Sequence, residues 1–396
     1  MITWINFLHL YQPPHQNGFV FGKVVDESYR RIVRILNLYD EVNFTLNVSG
    51  SLLEQLEFYQ KMDVIEGLKK AAGEGKIELV SSAMFHPILP LLNKNEIKRQ
   101  IDLNNKISQR LFGDVFQPKG FYLPEMSYSL EVAEVVQEMG FEWIILDEIS
   151  FNGRLGSVDF EKVYEIESLK LKVIFRNREV SNSFVPESIN KISTGSQNKI
   201  IITATDGELY GHHHWDMERH IEENFANENI KRLKISDYIS QFETFEKINP
   251  VDSCWESSEE DLKNNKPYSF WNDSENILHK LLWDLANFAI KTIEENQNDQ
   301  NYEIACALVS RGLTSCTFWS ASEKKSFIWK DIVWNPDMIE SGALNLVRAI
   351  RSLEKLDTKK RTKAEKMFLD IIENIWSSHW EKHYRISAKD SPSASL

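Results

Sequence analysis

Over the first 205 or so residues, short apolar runs alternate with stretches of helical periodicity. That alternation restricts the chain to parallel strands joined by helices. The runs at Ile2–Leu10, Val42–Val48, Lys76–Ser81, Gly120–Leu123, Trp143–Leu146, Lys172–Phe175 and Ile200–Ala204 read as strands. Between them, Leu52–Tyr59 opens a helix, Asn95–Phe112 carries Ile97, Ile101, Ile107 and Leu111 at helical spacing, and Glu131–Met139 is a helix stopped by Gly140. This many βαβ units predict a closed or nearly closed barrel. Barrels of this kind keep their chemistry at the carboxyl ends of the strands. Polar residues just after a strand therefore become candidates: His9, His86, Glu125, Asp147 and Asp206.

The second half reads differently. Asn249–Asp273 is rich in Asn, Asp, Ser, Glu and Lys and reads as a long loop or insert. Glu275–Glu295, Tyr302–Arg311, Pro336–Leu356 and Thr362–His383 have helical spacing. The expected division is a barrel over 1–250, a helical region over 251–385 that completes the substrate cleft, and a disordered tail over 386–396.

The formal net charge of −13 disfavours phosphate backbones and anionic membranes as partners. Three cysteines without a C-x-x-C pair argue against a disulfide framework and a thiolate zinc cluster. No metal or cofactor is expected. The N-terminal stretch lacks a basic start and a long apolar run, and no membrane-length apolar segment follows. The expectation is a soluble, cytoplasmic protein.

Five segments place polar residues among aromatics and prolines where a strand should end. The first is His9-Leu10-Tyr11-Gln12-Pro13, the second Ser81–Leu91 with His86-Pro87, and the third Gly120–Tyr128 with Pro124-Glu125. An acidic residue at an apolar strand end needs a reason, because burying a lone carboxylate costs several kcal/mol. The competing reading of Glu125 is a first-turn residue of the helix after Ser127. In the fourth, Thr205-Asp206-Gly207-Glu208 leads to His212-His213-His214, so two carboxylates and three histidines fall within nine residues. The competing reading there is a surface Asp-Gly turn. The fifth, Gly312–Ser320, sets Trp319 among small residues, either for stacking on a sugar ring or for core packing.

Taken together and in this order, the five segments resemble glycoside hydrolase family 57, a family of α-glucan-active enzymes. The resemblance spans residues 1 to about 355. It implies an incomplete (β/α)7 TIM-like barrel with a helical C-terminal domain, an α/β fold. It implies a retaining mechanism with Glu125 as nucleophile and Asp206 as general acid/base, and an α-glucan or maltooligosaccharide substrate. His9, Tyr11, Gln12, His86, Tyr128, Glu208, His212 and Trp319 are the implied sugar-binding residues. Retention needs two carboxyl groups roughly 5–5.5 Å apart. The chain departs from the family pattern at Tyr11, where a second histidine is usual, and at Ser315 and Cys316, where an acidic residue often stands.

Hydrolysis, 4-α-glucan transfer and branching share the covalent intermediate and differ in what intercepts it. A metal-dependent carbohydrate deacetylase and a non-catalytic glucan-binding protein are the alternatives of another class.

Overall fold

The computed structural model describes residues 1–14, 16–195, 199–214, 216–326 and 331–384. The tail expected at 386–396 lies outside the described residues. The chain forms two compact units, one of residues 1–84 and 89–262, the other of residues 85–88 and 263–396.

Ten strands are described in the first unit: β1 Ile2–Leu10, β2 Phe44–Val48, β3 Ile77–Val80, β4 Gly120–Tyr122, β5 Trp143–Asp147, β6 Tyr164–Ile166, β7 Lys172–Arg176, β8 Lys199–Asp206, β9 Ile230–Leu233 and β10 Glu246–Ile248. One parallel sheet runs β3-β2-β1-β8, and a second contains β4-β5-β7, also parallel. Two weak seams relate them. At the first, Ser81 bridges Phe121, with Tyr122 N–H donating to the Ser81 carbonyl at 2.8 Å. At the second, the Asn177 N–H donates to the Ile202 carbonyl at 2.7 Å. The result is an incomplete (β/α)7 barrel.

All seven strands read as barrel strands from sequence are present. β6, β9 and β10 were not expected. They are three or four residues long, too short to show a period. β6 runs antiparallel to β7, and β10 pairs with β6. β9 lies beside the first half of β1.

The strands read as continuous apolar runs because helices cover them, as parallel sheets require. Trp4, Leu8 and Leu10 of β1 belong to one core cluster, Ile5 and Phe7 to another. Gly120 lets β4 approach β5: a Cβ there would lie 2.2 Å from the Trp143 ring. The helix Lys94–Phe112 begins where the Asn93 side chain accepts from the Glu96 N–H at 2.9 Å.

The second unit is helical: Ile277–Glu294, Tyr302–Gly312, Ser315–Trp319, Pro336–Ser352 and Thr358–Ser378, with a final π-helical turn at His379–His383. Asn276 caps the first of these through the Leu278 and His279 N–H groups. Trp283 stacks on Phe318 at 4.2 Å within it. Among the described residues, no helix is long and apolar enough to cross a membrane.

Candidate active site

The site is built at the carboxyl ends of the barrel strands. β1 and β8 pair in a register that sets His9 opposite Asp206, and β1 and β2 pair so that His9 faces Asn47. His9 is buried, and its Nδ1 lies 2.8 Å from Asn47 Oδ1. Burial outweighs that bond and lowers the imidazole pKa to about 3, so the ring is neutral. Its ring packs on Tyr122 at 4.5 Å and on Tyr11 at 5.7 Å. Tyr122 ends β4, three residues before Glu125.

Glu125 sits in a 3-10 turn, Pro124–Met126, with φ 56° and ψ 17°. A non-glycine residue held in the left-handed region costs about 1–3 kcal/mol and is commonest at functional sites. Glu125 does not belong to the following helix: Ser129 caps Leu130–Glu138 instead. The half-buried Glu125 carboxylate accepts from the Trp255 indole N–H at 2.7 Å, and its carbonyl accepts from the Trp255 backbone N–H at 3.1 Å.

Asp206 closes β8. Burial pushes its carboxyl up from the ordinary aspartate range, opposed by the Arg176 guanidinium and reinforced by the Glu256 carboxylate. Glu208 is pushed up as well, first by burial and then by the charge of Asp206. Its Oε1 accepts from the Tyr29 hydroxyl and, at 2.7 Å, from Gln12 Nε2. Tyr122 is the group on which both ends converge. Burial raises its phenol well above its ordinary value, and the charges of Asp206 and Glu125 add to that.

Arg176 holds the far wall. Its Nε donates to Asp147 at 2.7 Å, its Nη1 to the Ala204 carbonyl at 2.9 Å, and its guanidinium lies 5.1 Å from the Trp255 ring centroid. Asp147, a strand-end candidate from sequence, is fully buried in ion pairs with Arg176 and Arg178. It organises the wall rather than facing a substrate.

The remaining sequence candidates are placed as follows. Tyr128 is buried and pairs with Ser253 through its backbone. Tyr11 is half-buried beside His9. His212 Nδ1 lies 2.5 Å from Glu27 Oε2, and His214 stacks on Phe184 at 4.0 Å. Burial lowers His213 to about 4. His86 and Trp319 both lie in the helical unit, where His86 Nδ1 meets Ser315 Oγ at 3.0 Å. Among the described residues, no group of three or more His, Cys, Asp or Glu side chains is placed to hold a metal ion.

The model of glycosyl hydrolase family 57 matches residues 7–252, more than half of the chain. The chain belongs to that family. The 4-alpha-glucanotransferase of Thermococcus litoralis is 25% identical over 260 residues, covering 61% of this chain and 39% of that protein. The alpha-amylase of Pyrococcus abyssi is 25% identical over 278 residues, covering 65% and 42%. This family-57 chain thus spans about two fifths of the length of those two relatives. The crystal structure of the T. litoralis 4-alpha-glucanotransferase superposes with a TM-score of 0.71 at 20% identity, over 89% of this chain and 60% of that one. The family-57 branching enzyme from Pyrococcus horikoshii superposes with 0.66 at 14% identity, over 94% and 95%. These likenesses show the family-57 fold.

Sequence reasoning missed Trp255, Glu256, Arg176, Asn47 and Tyr29. The first two lie in the polar stretch read as a loop, where an aromatic–acid pair was the available signal. Arg176 ends a strand and was one residue beyond the range read as β7.

Proposed function

We propose that the chain is a retaining glycoside hydrolase acting on α-1,4-linked glucans, with Glu125 as nucleophile and Asp206 as general acid/base. The observation that supports this reading is that both carboxylates lie at strand ends around Tyr122. A hydrogen-bond donor favours the charged form of Glu125, and burial favours the protonated form of Asp206.

In the first step the Glu125 carboxylate attacks the anomeric carbon while Asp206 gives its proton to the leaving glycosidic oxygen. A covalent glycosyl ester remains. In the second step the Asp206 carboxylate takes a proton from the incoming hydroxyl, whose oxygen displaces Glu125 from the anomeric carbon. Neutral His9, Tyr11, Gln12, Tyr128, Glu208 and His212 are the sugar-facing or loop-ordering groups of this reading. His86 and Trp319 are assigned to sugar contact on their sequence segments alone. A neutral glucan agrees with the net charge of −13, and a cytoplasmic location agrees with three cysteines that form no C-x-x-C pair.

The names of the relatives favour a second outcome of the same chemistry, transfer to a sugar hydroxyl instead of water. Incubation with maltooligosaccharides and analysis of the products tests both. Shorter products alone mean hydrolysis, longer ones mean transfer, and new branch points mean branching. Inertness on every α-glucan contradicts the reading.

A further inference from the structure

One short segment, Ser253–Ser257, reaches three parts of the barrel mouth. Ser253 exchanges backbone bonds with Tyr128, at 2.8 and 3.3 Å. Trp255 holds Glu125 twice, through its backbone N–H and its indole N–H. Glu256 is buried and its charge reaches Asp206. The Ser257 carbonyl accepts from Arg178 Nη1 at 2.8 Å.

The indole is itself fixed. The Arg176 guanidinium lies against its ring, and Arg176 is anchored by Asp147 and the Ala204 carbonyl. A cation against an aromatic face is attracted by the ring quadrupole. Ala204 is two residues before Asp206 on β8. The nucleophile side and the acid/base side of the site are thus joined through Glu125, Trp255, Arg176 and the end of β8.

From this geometry we propose that Trp255 is a positioning residue: its indole N–H orients the Glu125 carboxylate for attack, and Arg176 holds the indole in place. The inference rests on the retaining reading above. Glu125 has a left-handed backbone and a side chain with several rotatable bonds, so its carboxylate needs an external fix. A hydrogen bond to a charged acceptor is about twice as strong as a neutral one, and it is directional. Among the titratable groups that Glu125 reaches are the Tyr122 phenol and the Cys254 thiol. Those that reach Asp206 are Arg176, Glu256, Glu208, Tyr29 and Tyr122.

Trp255→Phe removes the donor and keeps most of the ring; Trp255→His keeps a ring N–H. Turnover is measured on an α-maltosyl fluoride, whose leaving group needs little acid assistance. Trp255→Phe should lower kcat about 10–100-fold with KM within threefold, a loss matching one hydrogen bond to a charged group. Asp206→Asn should keep formation of the glycosyl ester on this substrate and lose only its base-assisted release, so a burst of fluoride precedes slow turnover. Trp255→His should recover part of the loss. The acidic limb of the pH profile should move up in Trp255→Phe, because the charged form of Glu125 has lost a donor. A kcat within twofold of wild type, or a loss confined to KM, overturns the proposal; the latter would make Trp255 a sugar-stacking residue.

A second measurement does not depend on turnover. In protein carrying 15N-labelled tryptophan, the indole resonance assigned to Trp255 should shift when Glu125 is replaced by Gln. No shift overturns the hydrogen bond. An inert wild type would contradict the retaining reading, while the resonance still decides the bond.

Discussion

His9 and Asp206 are register partners at the carboxyl ends of neighbouring parallel strands, β1 and β8. Neutral His9 therefore stands beside the proposed acid without adding a positive charge that would strip its proton. The Tyr122 ring, 4.5 Å from His9, carries the layer across to the loop of Glu125.

The buried neutral state of His9 makes the fold acid-sensitive. Its folded pKa, about 3, lies below its ordinary value of 6.5. The unfolded chain therefore takes up a proton that the folded chain refuses. The resulting stability is present above pH 6.5 and is lost as pH falls toward 3. One proton gives at most about 1.4 kcal/mol per pH unit. Urea unfolding of His9→Gln should show a shallower loss of stability between pH 6.5 and 4.5 than wild type. An unchanged slope would contradict a neutral His9.

Glu256 tunes Asp206. Its charge raises the proton affinity of Asp206, so Glu256→Gln should lower it. The proposed acid works protonated, and its loss sets the basic limb of kcat/KM. That limb should move to lower pH, by about one unit or less. A limb that stays fixed or moves up would separate Glu256 from the acid.

The barrel was legible because each strand is a dense apolar run and each helix has a clear period. The short β6, β9 and β10 were not, since three or four residues display no period. Glu125 and Asp206 stood out because carboxylates at apolar strand ends demand compensation. Their partners were hidden for a different reason. Trp255 and Glu256 lie 130 and 50 residues from the groups they serve, in a stretch whose polar composition resembles an ordinary loop. Only the folded chain brings them to Glu125 and Asp206. Asp147 shows the reverse. The strand-end filter selected it, but Arg176 and Arg178 absorb its charge.

Asp147→Asn tests that ion network. It leaves two buried guanidinium groups short of a carboxylate, and breaking a buried pair costs about 3–5 kcal/mol. The midpoint of urea unfolding should fall accordingly. A stability equal to wild type would show that Arg176 and Arg178 do not depend on Asp147.

Gly211→Ala tests the loop after Asp206. Gly211 has φ +120°, and a Cβ there would lie 2.0 Å from the Glu27 carbonyl oxygen. Glu27 also holds His212. Strain of this kind costs about 1–3 kcal/mol, and the clash adds to it. Both thermal midpoint and turnover should fall. Wild-type values for both would contradict a tightly held loop.

The most direct measurement is covalent trapping. A 5-fluoro-α-glucosyl fluoride forms the glycosyl ester and slows its release, so the labelled peptide can be found by mass spectrometry. The account predicts the sugar on Glu125, with no label in Glu125→Gln. A label on another carboxylate, or turnover of an α-glucan with inversion and no label, would contradict it.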